Sequence, residues 1–172
     1  SAQGHLRNED VRNGDIFLFF GWFKEAEIVN QRFRYIDKAH NLHVIYAYLQ
    51  IGHIYSTYDE LPPAAKYHSH AHKFLVDKNN CIYEAADVLS LDNSLPGAGC
   101  LKYDKCLVLT KEGENKSHWD LPEIFKEVKI SYHSQDSFKN NYFDSAKKGQ
   151  EFVIESNNKI IEWVGNLLTR AR

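Results

Sequence analysis

The chain has no methionine and only three cysteines, and no run of apolar residues approaches the ~20 needed to cross a bilayer. Each absence narrows the field. Cys81, Cys100 and Cys106 contain no C-x-x-C pair and are odd in number, so neither a disulfide framework nor a zinc ribbon is built from them. They read as reduced cysteines of a cytoplasmic protein. The N-terminus lacks the basic-then-apolar layout of a secretion signal, so no membrane partner is expected. Charge of one sign is also lacking: 21 Lys and Arg face 23 Asp and Glu, for a net −2. That balance excludes a globally basic coat for nucleic acid and still allows a local basic groove. The chain opens SAQGHLRNED, without methionine, which points to the C-terminal portion of a longer protein. Internal repeats and low-complexity tracts are missing as well.

What is present fits one folded domain over residues 1–172, with 43% apolar and 26% charged residues and enough length to bury a core. Aromatics reach 13% and include ten tyrosines, more than a core accommodates readily because every buried hydroxyl needs a partner. They concentrate early. GDIFLFFGWF starts at a Gly14-Asp15 turn and reads as a buried strand over 15–23. LHVIYAYLQIGHIY, over 42–55, reads as a second and longer strand, bent near Gly52 where a bulge is cheap. The charged segment between them, 24–41, reads as a long loop with room for one helical turn. Paired aromatic strands of this kind suggest a small closed barrel with a flat aromatic cleft, suited to a planar ligand such as a nucleobase.

Further along, Pro62-Pro63 makes 58–71 irregular. Residues 73–77 and 81–85 read as a hairpin around Asp77-Lys78-Asn79-Asn80. Pro96-Gly97-Ala98-Gly99 reads as a flexible turn, and 105–110 (KCLVLT) as a short strand. In 119–125, Pro122 starts a short helix or ends an extended piece. Residues 150–155 (QEFVIE) read as a last strand. The clearest helix is 157–172, with Ile160, Ile161, Val164, Leu167 and Leu168 in one stripe and Ser156 or Asn157 as its cap.

Several groups of residues are candidates for chemistry. His68, His70 and His72 share a face if extended, and neutral imidazoles so placed suit zinc or another transition metal. No HExxH or CxxC spacing supports a metal, and the histidines equally fit a solvated loop after the two prolines. With Lys66 and Lys73 they also make a strip suited to phosphate. Alternation puts Phe20 and Trp22 on one face, and Tyr46 and Tyr48 on one face of theirs. Some of these rings must fill the core, but one or two exposed rings suffice to stack a base. The Pro96–Gly99 turn lacks the Lys-Ser/Thr of a P-loop. Cys100 and Cys106 have no histidine beside them in sequence, and His133, Glu151 and Glu84 are candidate acid/base residues with ordinary structural alternatives.

The segments HLRNEDVRNGDIFLFFGWF, LHVIYAYLQIGHI, LPGAGCLKY, SHWDLPEIF, SYHS and GQEFVIES, in this order, resemble the bacterial and phage family called nucleotide-modification-associated domain, third type. The resemblance spans nearly the whole chain. It implies association with systems that hypermodify DNA bases, and it brings Asp15, Trp22, His43, Gln50, His68, His70, Gly97, Gly99, Trp119, His133, Gln150 and Glu151 forward as motif residues without assigned roles. A looser likeness, in the Gly-Asp turn and VIYAYLQIGHI, is to PUA-like barrels of the ASCH and EVE kind. It implies binding of RNA or modified bases in an aromatic-walled cleft.

The expected architecture is therefore α+β, a barrel-like mixed or antiparallel sheet with a packed C-terminal helix. The expected function is recognition of a nucleotide or nucleic acid, with a modified base, inside a modification or defence system. Trp22, Tyr46 and Tyr48 would form the stacking wall, with His43 and Trp119 as further pocket residues. Gln50 would read a base edge, and Lys66, His68, His70 and His72 would face phosphate. The competing readings are an enzyme of base modification using His68, His70, His133 or Glu151, with or without a metal, and an interaction module whose partner is the N-terminal region or another modification-system protein. No cofactor is specified by any motif. Metal analysis separates the first two readings: stoichiometric zinc or iron, lost in His70→Ala, would mark the enzyme.

Overall fold

A computed structural model of the chain describes residues 2–145 and 151–171. Gly149, Gln150 and Arg172 lie outside the described residues. The fold is α+β. Helix α1 is Ala2–Asn8, followed by strands β1 Ile16–Lys24, β2 Ala26–Val29, β3 Arg32–Tyr35, β4 Asn41–Tyr55, β5 Ile82–Ala85, β6 Val88–Leu89, β7 Asp92–Pro96, β8 Ala98–Cys100, β9 His118–Trp119 and β10 Phe143–Asp144, and helix α2 is Asn158–Arg170. The larger sheet runs β1-β4-β5, with β8 also against β4, and β2-β3, β6-β7 and β9-β10 form two-stranded sheets. Barrel closure is not among these pairings of the described residues. No helix is long and apolar enough to cross a membrane, among the described residues.

The chain divides into two compact units, the first comprising Ser1–Leu18, Tyr48–Cys100 and Glu151–Val153, the second Phe19–Ala47, Leu101–Gln150 and Ile154–Arg172. Strands β1 and β4 supply residues to both. In the first unit the C-terminal part of β4 pairs antiparallel with β5 from Ile51↔Ala85 to Tyr55↔Ile82, and the register shifts at the expected bulge around Gly52. Leu61, Ala71 and Ile82 form a buried cluster on which Tyr55, Tyr58 and Phe74 pack. That cluster explains why 73–77 is not a strand. Ala71–Leu75 is a 3-10 helix. The Lys73, Val76 and Asp77 amides donate to carbonyls three or four residues back, and the curl brings Phe74 onto the cluster. The Asp77–Asn80 turn forms as expected, with the Asp77 carboxylate accepting from the Asn79 amide at 2.9 Å.

Pro96-Gly97-Ala98-Gly99 is a crossing between β7 and β8 instead of a flexible turn. The Gly97 carbonyl accepts from the Gln50 amide at 2.6 Å and the Gly97 amide donates to Asp87 at 3.3 Å. A Cβ at Gly97 would lie 1.9 Å from the Ala86 carbonyl oxygen. Only glycine allows the two backbones this close.

In the second unit, the segment 24–41 is a hairpin and not a loop. Ile28-Val29 and Phe33 to Tyr35 alternate around an Asn30-Gln31 turn whose φ values, 50° and 62°, suit the tight turn of a twisted ribbon. Residues 105–110 are likewise only partly extended. The Asp104 carboxylate accepts from the Cys106 amide at 2.8 Å and starts a 3-10 turn over Lys105–Leu107, leaving Val108 and Thr110 to make isolated bridges to Val44 and Trp119. Of the expected last strand, only Ile154 makes a bridge, to Ile130, among the described residues. Pro122 sits at the start of a 3-10 helix over Glu123–Glu127. Helix α2 matches its periodicity closely. Asn157 caps it through the Ile160 amide at 3.0 Å, Ile160, Leu167 and Leu168 are buried, and Trp163 meets Phe125 edge-on at 5.1 Å.

The Gly97 contact generates a direct test. Gly97→Ala is expected to cost about 1–3 kcal/mol of stability, because backbone rather than a flexible side chain must move. Chemical denaturation measures it. An unchanged unfolding midpoint would show that the crossing is looser than described.

Candidate functional site

Strand alternation in the second unit sorts the early aromatics onto two faces. On one, Phe20 packs at 5.4 Å from His43 and at 5.0 Å, edge-on, from Trp119. Trp22 lies farther along that face, its indole donating to Asn41 at 2.9 Å and its ring covered by the Lys116 ammonium at 4.6 Å. On the other face, Tyr46 lies 6.5 Å from Phe19 and 5.9 Å from Phe23. Gly21, between those two phenylalanines, leaves room for it: an added Cβ would come within 3.4 Å of the Tyr46 ring.

This second face holds a cavity of about 310 Å³, near the lower end of the ~300–1,000 Å³ usual for small-molecule sites. Phe23, Tyr46 and Tyr103 give it three rings, Leu42, Val44, Leu101 and Leu107 an aliphatic floor, and Lys24 and Glu25 its charged groups. Tyr46 is 43% and Tyr103 63% exposed, so both rings keep a face available. Phe23 follows from the alternation of β1. Tyr103, at the end of LPGAGCLKY, has no local signal; only the tertiary fold places it beside Tyr46.

The expected stacking wall is thus not one surface. Trp22 and Tyr46 point to opposite faces of the sheet. Tyr48 belongs to the first unit, where it is buried and its hydroxyl donates to the Pro96 carbonyl at 2.9 Å. Gln50 belongs to the first unit as well. It is buried, its amide nitrogen donates to Gly14 O at 2.8 Å and Ser90 Oγ at 2.7 Å, and its oxygen accepts from the Ser90 amide at 2.7 Å. These bonds tie two loops, at Gly14 and at Ser90, to β4 and engage the side chain's nitrogen and oxygen.

His43 and Trp119 are brought together, but as core. The Trp119 indole, which can only donate, gives its hydrogen to His43 Nδ1 at 3.0 Å, so neutral His43 carries its own proton on Nε2. The His43 amide donates to Thr110 Oγ1 at 2.7 Å, and that hydroxyl donates to the Lys116 carbonyl at 2.9 Å. Burial, and secondly the Lys116 charge, lower the His43 pKa and keep the ring neutral.

The histidine strip falls in the first unit and is not extended. His68 follows the 3-10 turn Ala65–Tyr67, His70 precedes Ala71–Leu75 and His72 lies inside it, so the three do not share a strand face. No group of three His, Cys, Asp or Glu side chains is arranged to hold a metal, among the described residues. Lys73 Nζ lies 3.1 Å from His70 Nε2, and burial, Lys73 and His68 together lower the His70 pKa. Lys66, whose ammonium lies 5.2 Å over Tyr58, and Lys73 are the strip's two lysines. His133 is in the second unit, 3.1 Å from Ser137 Oγ and 4.7 Å from Phe143; burial lowers its pKa against the opposing charge of Asp144. Glu151 is exposed and belongs to the first unit.

The chain is thus α+β, and its second unit holds an aromatic, largely apolar cavity with two charged groups in its lining. Its family follows from comparison: residues 1–155 match the model described as nucleotide modification associated domain 3, and the chain belongs to that family. No curated protein and no solved structure matches it.

The neutral histidines set a pH dependence. The unfolded chain takes up protons on His43 and His133 below about pH 6.5, whereas the folded chain resists until lower pH. Their contribution to stability is complete above that value and is lost as pH falls through it towards the lowered folded values. The melting temperature is expected to drop between about pH 7.5 and about pH 5.5, and to drop less in His43→Gln, whose side-chain oxygen still accepts from Trp119. Equal drops in both proteins would contradict the assignment.

Proposed function

We propose that the cavity of the second unit holds one nucleobase and that the protein recognises a nucleotide or nucleic acid, with a modified base, within a DNA-modification or defence system. The observation that carries this reading is the set of three rings, Phe23, Tyr46 and Tyr103, around one cavity with Lys24 and Glu25 at its margin. Flat rings with exposed faces stack any base, at about 1–3 kcal/mol each. The two charged groups supply discrimination. A carboxylate accepts from amino and imino N–H groups on a base edge, and an ammonium donates to its carbonyls. Membership of the nucleotide modification associated family supports a ligand of this class. A PUA-like barrel is not required, since the cavity is built within one unit from β1, β4 and the chain after β8.

The enzyme reading draws less support. His133 has a serine partner and a nearby carboxylate, but it is separate from the cavity lining. Other proteins of a modification system are the partners that the family context suggests.

Mononucleotide titration by calorimetry tests the reading. Tyr103→Ala, at an exposed position, is expected to weaken binding about 5- to 150-fold. Trp22→Ala is expected to change it little. The reverse ranking would move the site to the Trp22 face, and no effect of either would reject base stacking.

A further inference from the structure

The hairpin β2–β3 starts at the margin of the cavity. Lys24 and Glu25 line the cavity, Ala26 begins β2, and the Glu25 carbonyl accepts from the Ile36 amide at 3.1 Å as the chain returns. Register pairs Ala26 with Tyr35 and Ile28 with Phe33, so these four share one face, while Glu27, Val29, Arg32 and Arg34 share the other. All eight strand residues are exposed, Phe33 to 84% and Tyr35 and Ile28 each to 68%. Two-stranded ribbons are marginal alone, and an apolar face left in water on one marks an interaction site.

Three observations identify the occupant. At the root, the Lys24 ammonium sits 5.7 Å over the Tyr35 ring, and Lys24 also lines the cavity, so Tyr35 continues the aromatic lining outward. At the tip, Phe33 shares a hollow with Arg32 and Arg34. Over 24–38, four cations stand against three carboxylates in a chain whose net charge is −2, and with Arg34 paired to Glu27 at 2.9 Å the cations left are Lys24, Arg32 and Lys38. Root and tip therefore each bring a flat ring near a cation, Tyr35 under Lys24 and Phe33 in the hollow it shares with Arg32. That is what successive nucleotides of a single strand require, a face for each base and a positive group for each phosphate. A second copy of the chain would match the apolar face with its own but would give Lys24, Arg32 and Lys38 no part to play.

We propose that the ligand is a single-stranded nucleic acid, with one base in the cavity and the adjoining bases stacked along Tyr35 and Phe33. The inference rests on the base-binding reading and extends its site along the hairpin. Arg32 at the tip, and Lys24 at the root, meet the phosphates.

The test compares a fluorescently labelled single-stranded DNA of about a dozen nucleotides with a mononucleotide, both titrated against the intact chain, and follows self-association by sedimentation. The oligonucleotide is expected to bind more tightly. Phe33→Ala should weaken the oligonucleotide about 5- to 150-fold and leave the mononucleotide unchanged. Arg32→Gln should reduce the slope of log affinity against log salt by about 0.7, the value for one phosphate contact on a single strand. If the mononucleotide binds through Tyr103 but the oligonucleotide binds no more tightly, or ignores Phe33, the extended site is overturned and the base-binding reading stands. If wild-type protein binds neither, both fall. Loss of self-association in Phe33→Ala with oligonucleotide affinity intact would assign the face to contact between copies and overturn the proposal.

Discussion

The alternation of β4 is the constraint from which both the core and the candidate site follow. One run of fifteen residues sends Asn41 and His43 to one face and Leu42, Val44 and Tyr46 to the other. The first face is held by hydrogen bonds: Trp119 donates to His43 Nδ1 and Thr110 holds the His43 amide in the interior, while Asn41 holds the exposed Trp22 at its end. A buried donor left without its acceptor costs about 1–3 kcal/mol, so a one-residue slip of register would lose this network as well as its packing. The face that remains keeps its rings open and lines the cavity. Rigidity on one side of the strand and accessibility on the other are two results of the same periodicity.

Gln50 plays a comparable part within the first unit. All its polar atoms are engaged, bridging Gly14 and Ser90, while its backbone pairs with Gly97 and Ala86. A buried amide satisfied in this way fixes both loops against β4. The close approach at Gly97 belongs to the same assembly, which is why glycine stands there. Residues that read in the sequence as candidates for touching ligand, Gln50, His43 and Trp119, are instead those that hold the frame.

That exchange of roles shows what was legible. The two early strands, the bulge at Gly52 and helix α2 follow from local pattern, because period-2 and period-3.6 repeats of apolar residues dictate them directly. The hairpin β2–β3 was hidden by its charges: its alternation is real, but both faces are exposed and its polar residues read as loop. Residues 73–77 looked like a strand and curled, because tertiary packing of Phe74 outweighed local preference. The site was half legible. Period two puts Phe23 opposite Trp22, and β4 supplies Tyr46, yet pairing Trp22 with Tyr46 required knowing how two strands face each other. Tyr103 is far from both in sequence and unmarked by composition, so only the fold brings it in. The family likeness carried by the short motifs was sound, and it is shown by the match over residues 1–155.

The central claim is that the base lies on the Tyr46 face of the sheet. A crystal structure of the protein soaked with modified nucleosides tests it most directly. The account predicts planar density in the cavity lined by Phe23, Tyr46 and Tyr103, within reach of Lys24 and Glu25. Density over Trp22 in place of the Lys116 side chain, with the Tyr46 cavity empty, would contradict it.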